Sequence, residues 1–291
     1  MKLESFFDEK TSTLTYLVYD EKTNDAVIID PVLDYDPSAS KYDTKSLRNV
    51  IQSTKEKALH VHYILETHAH ADHLSGSQFL KEAFPQAKLA IGKHITSVQK
   101  TFKHIFNFKD FNENGIQFDE LLDEGNDVFA GSLHIKVFFT PGHTPACSSY
   151  LINNEAVFTG DVLFMHDFGT GRCDFPGGSA EQMYDSVTQK LYTLPDVTKV
   201  FVGHDYKPGG RDVAYESTIG DQKQRNPQLN GSTTKEEFVS MRNQRDATLK
   251  SPELLLQSLQ VNIDAGNLPS NEDNGQKYLK IPLRKKDESN E

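Results

Sequence analysis

The chain has 291 residues, of which 36% are hydrophobic and 25% charged, and its mean hydropathy is −0.57. This composition is typical of a globular protein with one large core and room for an appendage. The 31 Lys and Arg residues against 42 Asp and Glu give a formal net charge of −11, which argues against a nucleic-acid partner and against attraction to anionic membranes.

Three features of the sequence predict a cytoplasmic protein. Residues 1–9 turn acidic early and have neither the apolar core of a secretory signal nor the Arg-rich bias of a transit peptide. No apolar run approaches the roughly 20 residues that a membrane-spanning helix needs. The only two cysteines, Cys147 and Cys173, cannot form a disulfide framework and suit a reducing compartment.

The first half of the chain is predicted to alternate between strands and helices. β-Branched and aromatic residues on both sides of a polar turn indicate a hairpin, and apolar residues at helical spacing follow it. In chain order, the predicted elements are strands over 13–19 and 25–29, a helix over 45–57, a strand over 62–65, a helix over 77–84 and a strand over 88–91.

The second half repeats this order of strands and then helices. A β-rich block is followed by an amphipathic helix that Pro195 ends, then by a buried strand and a polar helical region. The predicted elements are strands over 127–130, 133–140, 148–152 and 156–159, a helix over 180–194, a strand over 199–202, and helices over 235–248 and 253–260.

Each half of the chain therefore supplies a sheet that helices can cover, which predicts a layered α/β sandwich. We expect residues 1–230 to form this sandwich domain and residues 231–291 to form a helical C-terminal extension. The extension is predicted to end in an extended, highly charged tail over 271–291.

The most informative segment contains four potential metal ligands within six residues, directly after the strand predicted over 62–65. They are His68, His70, Asp72 and His73. They cannot all lie on one face of a regular element, so they need a loop that directs several side chains to one centre. Imidazole and carboxylate ligands together suit Zn, Fe or Mn.

Three further residues share this context, because each follows a short apolar strand and is preceded by glycine. They are His143, Asp161 and His204. Glycine is expected where the backbone turns sharply beside an ion. Ligands at strand ends in both halves of the chain would converge at one edge of a sandwich, so the sequence predicts a metal site there. The other histidines are interpreted as ordinary surface or core residues: His60, His62, His94, His104, His134 and His166.

The pattern His68-x-His70-x-Asp72-His73, followed by His143, Asp161 and His204, resembles the metallo-β-lactamase superfamily over roughly residues 10–225. The resemblance implies a four-layer αβ/βα sandwich with the metal site at its edge. Within the superfamily the sequence is most similar to the persulfide dioxygenases, which are relatives of glyoxalase II. The motifs that carry this similarity are Glu66-Thr-His-Ala-His-Ala-Asp-His, Pro141-Gly-His-Thr-Pro, Phe158-Thr-Gly-Asp, Gly171-Arg-Cys-Asp-Phe, His204-Asp-Tyr and Arg225-Asn-Pro.

Persulfide dioxygenases convert glutathione persulfide, O₂ and water to glutathione and sulfite, in sulfide oxidation and detoxification. The resemblance implies one Fe(II) per chain, held by His68, His143 and Asp161. Two histidines and a carboxylate form the facial triad of non-heme Fe(II) oxygenases. The catalytic group is then the metal centre itself, and no separate protein base is assigned.

The remaining members, His70, Asp72, His73 and His204, leave two interpretations open. In a dioxygenase they surround the single iron and orient its ligands and waters. In the alternative, a glyoxalase II-type thioester hydrolase, they complete a dinuclear zinc site. Zinc is also expected as a substitute for iron in the first interpretation.

The resemblance also implies substrate contacts and one departure from the family pattern. Arg172 is the candidate for a contact to a glutathione carboxylate, and Tyr206 is expected to line the same pocket. Where the mitochondrial-type enzymes have Gly-Cys-Gly-Arg-Thr-Asp-Phe, this chain has Gly169-Thr-Gly-Arg-Cys-Asp-Phe175, in the pattern of a bacterial branch. Cys173 and Cys147 are interpreted as buried residues without a catalytic role. The substrates expected are glutathione persulfide and O₂, and a homodimer is compatible with the family.

Overall fold

A computed structural model describes residues 1–283, and most of its strands form two six-stranded sheets. In the first sheet the order is β1–β2–β3–β6–β8–β9, and in the second it is β10–β11–β12–β13–β14–β15. The strands of the first sheet are β1 (Lys2–Asp8), β2 (Thr13–Tyr19), β3 (Asp25–Ile29), β6 (His60–Glu66), β8 (Lys88–Gly92) and β9 (Glu120–Leu122). Those of the second are β10 (Asp127–Ala130), β11 (Leu133–Phe139), β12 (Ser148–Ile152), β13 (Ala156–Phe158), β14 (Lys199–Phe201) and β15 (Glu216–Thr218).

The two faces of β2 show how the sheets are layered. Leu14, Tyr16 and Val18 lie in a hydrophobic cluster shared with the second sheet, whereas Leu17 and Tyr19 lie in a cluster shared with helices. Because successive side chains of a strand point to opposite faces, the first sheet is buried on both sides. This explains why all seven residues of β2 are buried, including the polar Thr13 and Thr15.

Helices cover the outer faces of both sheets, which confirms the predicted four-layer α/β sandwich. The helices are α1 (Lys45–Glu56), α2 (Ser77–Ala83), α3 (Ile95–Phe106), α4 (Ala180–Gln189), α5 (Ile219–Arg225), α6 (Lys235–Asp246) and α7 (Leu255–Asn262). Helices α1, α2, α3 and α7 contribute to the cluster on the first sheet, and α4, α5 and α6 contribute to the cluster that includes the second.

Several elements were missing from the sequence prediction. A small third sheet, in the order β5–β4–β7, contains β4 (Val32–Asp36), β5 (Lys41–Asp43) and β7 (Leu74–Ser75). Strand β5 is fully exposed and β1 is only partly buried, so neither has a strong apolar pattern. Helix α3 was also missed, although Ile95, Val98, Phe102 and Phe106 form its buried face. The helix predicted over 180–194 ends as a 3-10 turn over Leu191–Thr193.

The C-terminal helices pack into the same cores as the rest of the chain. Phe238 of α6 joins the cluster between the sheets, and Leu259 of α7 joins the cluster on the first sheet. The domain boundary at residue 230 stays a prediction. The tail predicted over 271–291 has no helix in the part described, and its last residues, 284–291, lie outside the described residues. No helix within residues 1–283 is long and apolar enough to cross a membrane.

Asp264, just after α7, provides a test of how the C-terminal segment is packed. Burial raises the pKa of its carboxyl group to about 6. Since the folded state then binds more protons than the unfolded state, stability falls as pH rises from about 4 to 6. We expect Asp264→Asn to raise the free energy of unfolding by about 1 kcal/mol at pH 7.5, an amount reduced from the full shift because the carboxyl is partly exposed.

Urea unfolding at pH 7.5 and pH 5 would measure this gain, which should shrink at the lower pH. Asp273→Asn, at an exposed position of the tail, is the control and should leave stability unchanged at both pH values. An equal stability of wild type and Asp264→Asn at pH 7.5 would contradict the burial of this carboxylate.

Candidate metal centre

The predicted ligands lie at one edge of the sandwich, where strands of both sheets end. His68, His70, Asp72 and His73 lie between β6 and β7, and we call residues 67–75, which end with the two residues of β7, the histidine loop. The other three follow strands of the second sheet: His143 follows β11, Asp161 follows β13 and His204 follows β14. All of them are buried except Asp72, which is partly exposed.

Three of these residues form a compact group of two histidines and one carboxylate. His68, His143 and Asp161 each offer a ligand atom, and the three atoms lie within 4.8 Å of one another. His143 Nε2 lies 3.6 Å from Asp161 Oδ2, and the rings of His68 and His143 meet edge to face at 5.0 Å between centroids. This is the group that the resemblance assigned to iron.

The other candidates form a second group that contacts the first through Asp161. Ligand atoms of His70, Asp72 and His73 also lie within 4.8 Å of one another. His204 Nε2 lies 3.3 Å from Asp72 Oδ2 and 3.3 Å from Asp161 Oδ1. The two oxygens of Asp161 therefore face different groups of ligands.

The start of the histidine loop is fixed by Asp30, a buried residue directly after β3. The backbone N–H and the hydroxyl of Thr67 donate to its two carboxylate oxygens, at 2.7 and 2.8 Å. The Thr67 oxygen lies 3.0 Å from His68 Nδ1 and can accept from it. A side chain at position 160 would collide with Thr67, and Gly160 has a φ of +51°, so glycine is needed for this close approach.

The other histidines are oriented in the same way, through the ring nitrogen that faces away from the cluster. His143 Nδ1 donates to the carbonyl of Arg172 at 2.7 Å, and His73 Nδ1 donates to the carbonyl of Leu74 at 3.2 Å. His204 Nδ1 lies 3.3 Å from the hydroxyl of Thr13. Because a carbonyl only accepts, Nδ1 carries the proton in His143 and His73, and Nε2 presents a lone pair to the cluster.

The ligand atoms that face the cluster are suited to bind a metal ion. Within residues 1–283 they are buried and have no hydrogen-bond partner: His68 Nε2, His70 Nδ1, His73 Nε2, His204 Nε2, Asp72 Oδ2 and Asp161 Oδ1. Buried polar atoms without partners cost free energy, and such atoms are rare in folded proteins. An ion that accepts these lone pairs would remove that cost.

The electrostatics of the cluster favour neutral ligands at two of its histidines. Burial and the neighbouring histidines hold the pKa of His68 well below its usual value and lower that of His73 to about 4. His70 differs because Asp30 lies 3.1 Å from its Nε2; against the effect of burial, this carboxylate raises the pKa of His70 to about 10. Metal binding at His70 Nδ1 would therefore release a proton. Burial also raises the pKa of the neighbouring Glu66 to about 7.

A cavity of about 660 Å³ opens over the cluster and includes both predicted substrate contacts in its wall. The ring of Tyr206 lies parallel to that of His204, with 5.7 Å between centroids, and is 46% exposed. Arg172 is paired with Asp174 through two contacts of 2.5 Å and donates to the Lys250 carbonyl at 2.7 Å. Its guanidinium thus lies beside the cavity but already holds one carboxylate.

Two exposed cationic side chains at the cavity were not singled out from the sequence. Lys10 and Arg245 are exposed and line the cavity, and neither forms an ion pair with a described residue. Arg245 lies on α6, in the region predicted as an extension, so its position depends on packing that the sequence does not show. By contrast, Asp30 follows a strand, as the predicted ligands do, and this signal could have identified it.

Both cysteines are buried and free, as expected. Burial raises the pKa of Cys147 to about 12 and that of Cys173 further. The two thiols therefore stay protonated at neutral pH, which is the opposite of a reactive cysteine.

A four-layer αβ/βα sandwich with a metal-binding His/Asp cluster at its edge defines a class of metal-dependent enzymes. The chain belongs to this class: the family model of the Metallo-beta-lactamase superfamily matches residues 9–204. The superfamily and the fold expected from the sequence are thereby confirmed.

Similar proteins carry names from both branches considered above. "Glyoxylase B2" of Dictyostelium discoideum is 48% identical over 97% of each chain. "Persulfide dioxygenase ETHE1, mitochondrial" of Bos taurus is 32% identical over 82% of this chain and 79% of that protein. Among solved structures, the crystal structure of ETHE1 from Myxococcus xanthus has a TM-score of 0.73 and 33% identity, and covers 92% of this chain and 100% of the other. The first alignment spans almost the whole chain, so the region beyond residue 230 has a counterpart in that relative.

Proposed function

We propose that the protein is an Fe(II)-dependent persulfide dioxygenase that converts glutathione persulfide, O₂ and water to glutathione, sulfite and two protons. The observation that carries the proposal is the compact group of His68, His143 and Asp161, with its ligand atoms within 4.8 Å of one another. Two imidazoles and one carboxylate suit Fe(II) and leave other coordination positions open. The similarity to the Bos taurus persulfide dioxygenase supports this choice.

Iron bound there would supply the redox chemistry between the sulfane sulfur and O₂. The protein's own contribution is to hold the metal ligands in place and to orient their rings. The carbonyl of Arg172 fixes the tautomer and the ring plane of His143, and Thr67 does the same for His68. The three ligand side chains are buried, so little of their surface is exposed to solvent.

The cavity suits a small anionic thiol derivative. Its volume of about 660 Å³ is in the range of small-molecule sites, and Phe164, Phe168 and Tyr206 provide an apolar wall. Lys10 and Arg245 at the wall attract carboxylates. A glutathione moiety has two carboxylates far from its sulfur, so it can place the sulfur at the cluster and its charges near these side chains.

A specific observation favours the alternative, a dinuclear zinc thioester hydrolase. The oxygens of Asp161 face His143 on one side and His204 on the other, so this carboxylate would be available to both groups of ligands if two ions were bound. Asp72, His73 and His204 would hold the second ion, and two zinc ions would supply an activated water. The relative named "Glyoxylase B2" agrees with this alternative.

Oxygen consumption and metal content, measured on one sample, separate the two functions. We expect protein reconstituted anaerobically with iron to consume O₂ and form sulfite when given glutathione persulfide, with about one iron per chain, the number that one facial triad holds. Cleavage of S-lactoylglutathione by a dizinc form, without O₂ uptake by the iron form, would move the assignment to the hydrolase.

Arg172 provides a prediction about substrate binding. Charge-assisted hydrogen bonds contribute about 1.5–3 kcal/mol, so Arg172→Ala is expected to raise KM for glutathione persulfide by about 10- to 150-fold. We expect kcat to change little, because the contact is equally strong before and during the reaction and because the backbone carbonyl that orients His143 remains. Steady-state O₂ uptake measures both constants. Arg48→Ala, at an exposed arginine of α1, is the control; an unchanged KM for Arg172→Ala would remove Arg172 from the substrate site.

A further inference from the structure

Asn262, the last residue of α7, forms three hydrogen bonds to the histidine loop through one side-chain amide. Its Nδ2 donates to the carbonyls of His70 and His73, each at 2.7 Å. Its Oδ1 accepts from the backbone N–H of Ser75, also at 2.7 Å. The side chain is buried, and these bonds use both donors of the amide and its oxygen.

These bonds place a second anchor on the histidine loop, at the end opposite the first. Asp30 holds the loop at Thr67, before the first ligand. Asn262 holds it at residues 70, 73 and 75, so its bonds flank Asp72. His70 and His73 lie outside any strand, so their carbonyls have no strand partner, and the amide supplies hydrogen bonds to them instead.

The position of Asn262 is itself fixed by residues around the end of α7. Gln99 of α3 donates to the carbonyl of Ile263 at 2.8 Å, and Gln78 of α2 donates to the carbonyl of Ala265 at 2.9 Å. Leu259 and Ile263 are fully buried in the hydrophobic cluster on the first sheet. The position of Asn262 is therefore held by contacts from both α2 and α3.

We infer that Asn262 is a positioning residue for the metal centre, which sets the backbone of the histidine loop so that His70, Asp72 and His73 face the cluster. The inference rests on the metal site of the proposed function and not on the substrate. It also gives the C-terminal region a role: α7 connects the outer helical layer to the ligands. Partners of this kind typically change metal affinity by 10- to 100-fold.

Metal affinity of the full-length protein tests this role without any turnover. We expect Asn262→Leu to bind Co(II) about 10- to 100-fold more weakly than wild type in competition with a chelator. Its Co(II) absorption spectrum should also shift, because the ligand geometry changes. Ser258→Ala is the matched control: Ser258 is a fully buried residue of α7, and its hydroxyl has no hydrogen-bond partner among residues 1–283.

A second variant and a measurement on the wild type make the test decisive. Asn262→Asp keeps the acceptor for Ser75; as a carboxylate it loses both donors and places a charge beside the carbonyls of His70 and His73, so it should also weaken Co(II) binding. Thermal unfolding of each metal-free variant checks that it is folded. In the wild type, hydrogen exchange should slow in residues 255–263 as well as in the histidine loop when Co(II) binds. Variants that match Ser258→Ala in affinity and spectrum, or a loop that slows on binding while α7 does not, would overturn the inference. Either outcome is independent of whether persulfide is the substrate.

Discussion

Asp161→Asn is expected to bind iron at least about 100-fold more weakly than wild type and to consume no O₂ with glutathione persulfide, a larger effect than the loss of an orienting partner. The amide matches the carboxylate in shape but lacks its charge, so the fold should be retained while the anionic ligand is lost. Asp161 is 6% exposed and lies between His143 and His204, at 3.6 and 3.3 Å. Iron content after anaerobic reconstitution and O₂ uptake measure the two effects.

The control for this substitution is another carboxylate of the same cavity. Asp36 lines the cavity but belongs to neither group of candidate ligands, so Asp36→Asn should retain full iron content and turnover. His68→Ala and His143→Ala should behave like Asp161→Asn, because each removes a member of the same group. An Asp161→Asn protein that binds iron and consumes O₂ normally would contradict the ligand assignment.

The candidate ligands could be found in the sequence because each follows a strand. Strands are short apolar runs, and the ends of strands in the two packed sheets meet at one edge, so ligand-type residues after several strands are expected to come together. His143, Asp161 and His204 were found in this way, although they lie far apart in the sequence. The sandwich itself could be predicted for the same reason, from apolar periodicity in each half.

Apart from Asp30, which follows a strand, the residues that support the ligands could not be predicted, because their partners are distant and no local pattern marks them. Asn262 lies 189 residues from His73 in the sequence, and an asparagine at the end of a helix is an ordinary observation. Arg242 and Asp246 have the spacing of a surface ion pair on a helix, yet both are buried. Only the packing of α6 against the loops of the second sheet turns this common pattern into an internal contact.

The ion pair between Arg242 and Asp246 is the basis of the second large effect that we expect. Arg242 is 1% exposed, and its guanidinium donates to Asp246 Oδ1 at 2.6 and 2.9 Å. The pair also bonds to the backbone on both sides of Arg172. Arg242 donates to the Thr170 carbonyl at 3.3 Å, and the N–H of Cys173 donates to Asp246 Oδ2 at 2.7 Å.

Asp246→Ala is therefore expected to lower the free energy of unfolding by about 3–5 kcal/mol, because it leaves a buried guanidinium without its counter-charge. Urea unfolding of the metal-free protein measures this loss. The control is Asp185→Ala, which breaks the partly exposed pair between Lys235 of α6 and Asp185 of α4 and should cost at most about 1 kcal/mol. A similar small cost for Asp246→Ala would show that the pair does not hold α6 in place.

The double variant Arg242→Met with Asp246→Leu separates stability from the support of the metal centre. Well-packed apolar residues can replace a buried ion pair without loss of stability. The double variant should therefore recover most of the free energy of unfolding that Asp246→Ala loses. It cannot bond to the Thr170 carbonyl or the Cys173 N–H, so the Arg172 carbonyl between them loses its support. Since that carbonyl orients His143, the double variant should be stable but bind Co(II) more weakly than wild type. Wild-type affinity in a stable double variant would limit the ion pair to a role in folding.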